Sequence, residues 1–138
     1  MKDSVVVTIP SQAKYLSVVR AATVNIGKLY GMDEPVIEDV KLAVDEACSN
    51  VIKHAYKGNP SRKIVVKYRT IQDRFEVIIE DSGMKGRMEL MKGRSLDDIR
   101  PGGLGIHFIK RVFDVFEFDE KKKDGNRLIL IKYMKGNG

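Results

Sequence analysis

The chain is predicted to fold as an α+β protein, a two-layer α/β sandwich in which three helices cover one face of a mixed, mostly antiparallel sheet. Three segments repeat apolar residues at helical spacing, and five others alternate like strands. Their order is strand, helix, helix, strand, strand, helix, strand, strand. Short turns within the strand pairs favour hairpins, and the helices need a sheet face to bury their apolar sides. The length of 138 residues predicts a single domain, 1–138.

The first part of the chain predicts one strand and two helices. Residues 5–9 alternate weakly and read as a strand. Ser11 is expected to cap the first helix, which ends at Gly31. Asp33 is the expected cap of a second, longer helix, which ends at Gly58.

The remainder predicts a hairpin, a long polar loop, a third helix and a second hairpin. Alternation and turn residues mark the strands, and helical spacing marks the helix. The polar loop is long for a small domain, and such loops are usually functional or disordered. These elements are expected at residues 62–70 and 74–81 (strands), 84–101 (loop), 104–115 (helix), and 116–119 and 127–134 (strands).

Composition restricts the class of protein. Hydrophobic residues make up 43% of the chain, enough for a core, and no apolar run approaches the ~20 residues of a membrane span. The single cysteine, Cys48, predicts no disulfide framework and fits a reducing cytoplasm. The net charge of +6 has three interpretations: nucleic-acid binding, a charge-rich surface, or a phosphate-bearing ligand or acidic partner. No nucleic-acid motif or aromatic interleaving accompanies the charge, so specific nucleic-acid binding is not expected.

The second helix carries the first motif, EACSNVIKH. Glu46, Asn50 and His54 are spaced four apart, so they share a face about 100° from the apolar stripe. This face is expected to border the core without being buried in it. A carboxylate there can accept a proton, and an amide oxygen can bind a hard cation. A solvated helix face is an alternative explanation of the same spacing.

The second motif is EDSG, at the end of a strand. Asp81 alternates in step with Phe75 and Val77, so its carboxylate is expected to point toward the core side of the sheet. A carboxylate in that position needs a hydrogen-bond donor, and the exocyclic amino group of adenine would be one. Gly83 would let the base approach the chain. The alternative is a simple Asx turn at the end of the strand.

The third motif is the stretch RPGGLGIHFIKRVFD. Gly102, Gly103 and Gly105 precede a predicted helix, where backbone N–H groups can face an anion such as a triphosphate. The stretch lacks the GK[ST] of a P-loop. A glycine-rich loop end with no ligand is the alternative explanation.

The order and spacing of these three motifs resemble the N, G1 and G2 boxes of the GHKL ATPase superfamily, whose fold is the Bergerat (histidine kinase-like) ATP-binding fold. The short form of the chain is similar to the bacterial anti-sigma factor serine-protein kinases. The resemblance covers residues 5–135, and DEACSNVIKHAYKGNP and RPGGLGIHFIKRVFD are its most specific parts.

The resemblance implies ATP and Mg²⁺ as cofactors and a role for each motif residue. Glu46 would be the general base, and Asn50 would hold Mg²⁺ against the phosphates, with His54 in the pocket wall. Asp81 would bind adenine N6 beside Gly83. The segment 84–101 would be the ATP lid. The phosphate-binding residues would be Gly102, Gly103, Leu104, Gly105 and Ile106.

The resemblance also implies a function. The protein would be an anti-sigma factor with protein-serine kinase activity, which sequesters a sigma factor and phosphorylates a serine of a STAS-type anti-anti-sigma protein. It would be a cytoplasmic homodimer. Arg20 would contact a partner, although an exposed helix charge explains it nearly as well. The alternative function is a nucleotide-gated protein-binding switch without kinase activity.

Two positions depart from the family pattern. Met84 and the residues after it replace the acidic or aromatic residue that often continues the G1 box. In the last hairpin Gly125-Asn126 stands where Gly-Thr is frequent. An asparagine can both donate and accept hydrogen bonds, so adenine binding is expected to be retained.

Overall fold

In the part of the chain that the structure describes, five strands form a single antiparallel sheet. The computed structural model describes residues 3–84 and 105–134. The sheet order is β1-β2-β3-β5-β4, and all four neighbouring pairs are antiparallel. The strands are β1 (Ser4–Pro10), β2 (Lys63–Ile71), β3 (Arg74–Asp81), β4 (Val115–Phe118) and β5 (Asn126–Tyr133).

Among the described residues, three α-helices accompany the sheet. They are α1 (Leu16–Leu29), which follows a 3-10 turn at Ala13–Tyr15, α2 (Glu34–Asn50), and α3 (Ile106–Val112). A π turn, Val51–Ala55, continues α2. The predicted α+β sandwich is therefore confirmed, and α3 is shorter than expected. Within residues 3–84 and 105–134, none of the helices is long and apolar enough to cross a membrane.

The core lies between the helices and one face of the sheet. Ile64, Val66 and Tyr68 alternate along β2 and are completely buried, as the period of a strand requires. Val19 of α1 and Val44 of α2 are buried from the other side. Full burial of such a side chain stabilises the fold by about 1.5–3 kcal/mol, so this face determines the register of the strands.

The opposite face of the sheet carries a network of charges around Glu80. Lys67 Nζ lies 2.6 Å from Glu80 Oε1, and Arg127 Nη2 lies 3.4 Å from Glu80 Oε2. Arg127 also contacts Asp119 at 3.0 Å. On the edge strand, the side chain of Val6 is exposed.

Ser11 does not cap the first helix, so that expectation was wrong. Its backbone N–H donates to Arg62 O at 2.9 Å and extends the β1–β2 ladder by one step. The buried Ser11 hydroxyl donates to Asn59 O at 2.6 Å, across to the loop before β2. The helical segment begins instead with the 3-10 turn at Ala13, and α1 itself begins at Leu16.

Replacement of Glu80 by glutamine should make the free energy of unfolding depend less on pH in the acid range. Burial by itself raises the pKa of Glu80, but the hydrogen bonds and charges of Lys67 and Arg127 outweigh it and hold the pKa below 4.5. The unfolded chain therefore binds the proton more readily, and this stabilisation is present above about pH 4.5 and lost as the pH falls through the folded value.

The check is urea unfolding of the wild type and Glu80→Gln between about pH 5.5 and about pH 3. The wild type should lose more unfolding free energy than the variant over this interval. Glu117→Gln, an exposed carboxylate on β4, is the control. Equal losses in wild type and Glu80→Gln would contradict the assignment.

Candidate nucleotide site

The predicted site residues that the structure describes lie at one end of the sheet. At this end α2 and β3 finish, and α3 and β5 begin. Asp81, the last residue of β3, pairs in register with Asn126, the first residue of β5. The helix and strand ends that meet here come from both halves of the sequence.

The helix α2 supplies Glu46 and Asn50, and the π turn supplies His54. Asn50 is only 2% exposed, whereas Glu46 and His54 are half-buried. The expectation that this face only borders the core was therefore wrong for Asn50, because α3 and β3 pack against α2. The wider π turn also rotates His54 away from the position that α-helical spacing predicts.

The π turn contacts the end of β3 directly. Met84 N–H donates to Ala55 O at 2.9 Å. A Cβ on Gly83 would overlap that same carbonyl group. Gly83 is therefore the residue that lets the chain after Asp81 pass over the end of α2. It brings the EDSG motif against the helix that carries Glu46 and Asn50.

Asp81 is buried, with 4% of its surface exposed, and it points to the core side as expected. Its Oδ1 accepts a hydrogen bond from Gly83 N–H at 2.9 Å, which is an Asx turn. The same oxygen accepts one from Asn126 Nδ2, also at 2.9 Å. The Asx turn is therefore present, and the carboxylate that makes it also faces the core. Its bond to adenine stays a prediction.

Gly105 caps α3 and contacts the carboxylate of Glu46. It has a φ of 62°, in the left-handed region. A Cβ at this position would overlap Glu46 Oε2. The glycine therefore leaves the space that the carboxylate occupies. The next residue, Ile106, is buried against Phe116 and Phe118 and anchors the start of α3.

A second set of contacts was missed by sequence reasoning. The Tyr56 hydroxyl accepts a hydrogen bond from Ser82 N–H at 2.8 Å and donates to Lys63 O. Arg62 Nη2 donates to the carbonyl and to the hydroxyl of Ser82, each at 2.7 Å. These contacts hold the backbone between Asp81 and Gly83. The sequence offered one signal for these contacts, a tyrosine two residues before the expected helix end at Gly58.

Arg20 links the first two helices. Its Nη1 donates to Asp45 Oδ1 at 2.8 Å, and 40% of its side chain remains exposed. Asp45 directly precedes Glu46 in α2. The proposed contact of Arg20 with a protein partner stays a prediction.

Several expected site residues lie outside the described residues. They are Gly102, Gly103, Leu104 and residues 85–101 of the expected lid. In the part of the chain that the structure describes, no cluster of three or more His, Cys, Asp or Glu side chains suits a metal ion. A groove of about 670 Å³ lies at the opposite end of the sheet, beside Tyr30 and Lys132, and no predicted site residue lines it.

Gly105→Ala should destabilise the protein more than Gly31→Ala. Both glycines have positive φ, 62° and 76°, so both substitutions carry the strain of a left-handed alanine. Only Gly105 faces a neighbour, whereas nothing lies within 4 Å of the position a Cβ would take on Gly31. The extra loss should be about 1 kcal/mol, because the Glu46 carboxylate must move.

Urea unfolding of both variants, in the wild-type and Glu46→Ala backgrounds, checks this expectation. The difference between the two glycines should disappear when the carboxylate is absent. A difference that persists without the carboxylate would show that the contact is not its cause.

Comparison with known proteins agrees with the geometry. A family model described as a histidine kinase-like ATPase domain matches residues 9–132. The serine-protein kinase RsbW of Listeria innocua is 31% identical, over 97% of this chain and 89% of its own length. RsbW of Staphylococcus aureus is 30% identical over 97% and 89%, and that of Bacillus subtilis 27% over 97% and 88%.

A solved structure shows the same fold. The crystal structure of the RsbU and RsbW domains of a Mycobacterium tuberculosis protein aligns with a TM-score of 0.63 at 13% identity. The alignment covers 95% of this chain and 32% of that longer one. Together with the matched residues and the arrangement of the three motifs, these similarities show that the chain belongs to the histidine kinase-like ATPase domain family, among its RsbW-like serine-protein kinases.

Proposed function

We propose that this protein is an ATP-dependent protein-serine kinase that is also an anti-sigma factor. It would sequester a sigma factor and phosphorylate a serine of a STAS-type anti-anti-sigma protein. The observation that carries the proposal is the contact between the Glu46 carboxylate and Gly105 at the start of α3. A candidate base and Gly105, one of the glycines expected to meet the phosphates, are thereby adjacent. The names of the relatives, serine-protein kinases, support the same activity.

The end of β3 fits an adenine base. The Asp81 carboxylate is held by two donors on Oδ1, and an ionised carboxylate can only accept hydrogen bonds. The exocyclic amino group of adenine is a donor and would bind it. Gly83 packs closely on Ala55 and, being a glycine, places no side chain of its own beside the carboxylate.

The residues of α2 fit Mg²⁺ bound with phosphates. Mg²⁺ keeps several waters and takes one or two protein ligands together with phosphate oxygens, so it needs no dedicated cage of side chains. Asn50 would be the protein ligand. When bound, the ion would supply neutralisation of the phosphate charge.

Glu46 would act on the acceptor serine. The serine oxygen forms a bond to the γ-phosphorus, the bond from that phosphorus to the ADP oxygen breaks, and the serine proton passes to the Glu46 carboxylate. Phosphoryl transfer depends on positioning and charge stabilisation more than on covalent chemistry. A base in contact with the start of α3 supplies that positioning.

Other features of the proposal follow from the family. The protein would act in the cytoplasm as a homodimer, as one domain over residues 1–138, and Arg20 on the surface of α1 would contact a protein partner. The second candidate function is a nucleotide-gated switch without kinase activity. The burial of Asn50 is consistent with it, since a buried amide would serve nucleotide binding without any transfer.

Mg·ADP should bind the wild type and bind Asp81→Asn at least about 10-fold more weakly, because an amide replaces a charged acceptor. Isothermal titration calorimetry measures both affinities. Asp73→Asn, in the exposed β2–β3 turn at the other end of the sheet, is the control and should bind like the wild type. Equal binding by Asp81→Asn would refute the adenine site.

Glu46→Gln should lower the rate of phosphoserine formation on a co-encoded STAS-type protein by about 100-fold or more, since general-base catalysis contributes that much. Glu38→Gln, an exposed carboxylate earlier on α2, should transfer at the wild-type rate. An unchanged rate in Glu46→Gln would show that another group is the base. No phosphoserine with the wild type, despite nucleotide-dependent binding of the STAS-type protein, would support the switch.

A further inference from the structure

The groove at the end of the sheet opposite the nucleotide site is formed by two walls. The connection between α1 and α2 supplies one wall, and the β2–β3 turn together with the end of β5 supplies the other. Met134 N–H donates to Asp73 O at 2.6 Å and joins the two parts of the second wall. The groove volume of about 670 Å³ lies within the range of ligand sites.

Each wall of the groove contributes the same three kinds of side chain: a carboxylate, a tyrosine and a methionine. Tyrosine ring faces attract cations, and methionine adapts its shape to an aliphatic chain. Carboxylates accept charge-assisted hydrogen bonds. The groove therefore suits a long side chain with an apolar stem and a cationic head. The residues are Tyr30, Met32 and Asp33 on the helix side, and Asp73, Tyr133 and Met134 on the sheet side.

The two carboxylates of the groove are not engaged by the described part of the protein. Asp33 stands at the N-cap position of α2, but its side chain makes no capping hydrogen bond. Within residues 3–84 and 105–134, neither Asp33 nor Asp73 has an ion-pair partner or a side-chain hydrogen bond. Lys132 also lines the groove, and its Nζ donates to Val112 O at the end of α3. Two unpaired carboxylates thus face one groove in a chain of net charge +6.

The aromatic surface of the groove is fixed on one wall and open on the other. The Tyr30 ring packs edge-on against the buried Phe75 ring, with the ring centroids 5.9 Å apart. The core therefore sets the position of Tyr30. Tyr133, near the end of β5, is 50% exposed. Exposed apolar surface bordered by polar groups is typical of an interaction site.

We propose that this groove is a docking site for an arginine side chain on a linear segment of a protein partner. The planar guanidinium group bonds to carboxylates and stacks on aromatic rings, so it matches Asp33, Asp73 and the tyrosines. An isolated cation would leave most of the apolar wall surface exposed to water. Apolar residues beside the arginine therefore cover the remainder. The groove shares no residue with the proposed nucleotide site.

The test is a titration of the isotopically labelled full chain with a capped peptide, followed by two-dimensional amide NMR spectra. The peptide reads glycine, leucine, arginine, leucine, glycine. The matched ligand carries citrulline in place of arginine, which keeps the shape and removes the charge. The double variant Asp33→Asn/Asp73→Asn removes both groove charges. Glu117→Gln/Asp124→Asn, at two exposed positions away from the groove, is the control with the same net charge.

The arginine peptide should shift the amide signals of residues 30–33, 72–73 and 132–134 in a saturable way. The citrulline peptide should bind the wild type about 10-fold or more weakly, because charge-assisted hydrogen bonds are lost. Asp33→Asn/Asp73→Asn should lose a similar factor for the arginine peptide, and Glu117→Gln/Asp124→Asn should bind it like the wild type. Thermal unfolding of each variant separates loss of binding from loss of fold.

Four results would overturn the inference. They are the absence of saturable shifts at the groove, equal binding of the arginine and citrulline peptides, equal weakening in both double variants, and equal affinity for the peptide and for free arginine amide. The last would make the groove a site for small cations. Binding of Mg·ADP is measured at the other end of the sheet, so this inference and the proposed function fail independently.

Discussion

The burial of the Asp81 carboxylate is the constraint on which the rest of the site depends. A carboxylate withdrawn from water is stable only where donors surround it. The chain supplies them from two directions, the Gly83 backbone two residues on and the Asn126 side chain on the neighbouring strand. Both donors require close backbone approaches, and glycines stand at each of them. The end of the sheet is thus organised around one charge.

The second carboxylate of the site, that of Glu46 on α2, is positioned by a different contact. Glu46 contacts Gly105 because α3 packs on α2 and the glycine has no side chain. The π turn that follows α2 contacts the chain after Asp81, because Gly83 packs on Ala55 and Met84 N–H donates to Ala55 O. The residues proposed for base recognition and for proton transfer are therefore connected through the end of one helix.

Much of this arrangement was predictable from the sequence. The strand β3 and the inward direction of Asp81 follow from alternation, which depends only on neighbouring residues. The stripe of α2 follows from helical spacing in the same way. The π turn was not predictable, because widening a turn depends on what packs against it. Ser11 was misjudged for the same reason, since its partner, Asn59, lies 48 residues away.

By itself the sequence determined the type and order of the elements, which face of each is apolar, and the three motifs proposed to carry the chemistry. Those properties are local, since periods of 2 and about 3.6 residues are set by adjacent side chains. Only the tertiary structure decided that Asn50 is buried, that Glu46 meets Gly105, and that Asn126 directs its donors to Asp81. The last pair is 45 residues apart. Such contacts form only in the folded chain, because buried polar groups there must bond to one another instead of to water.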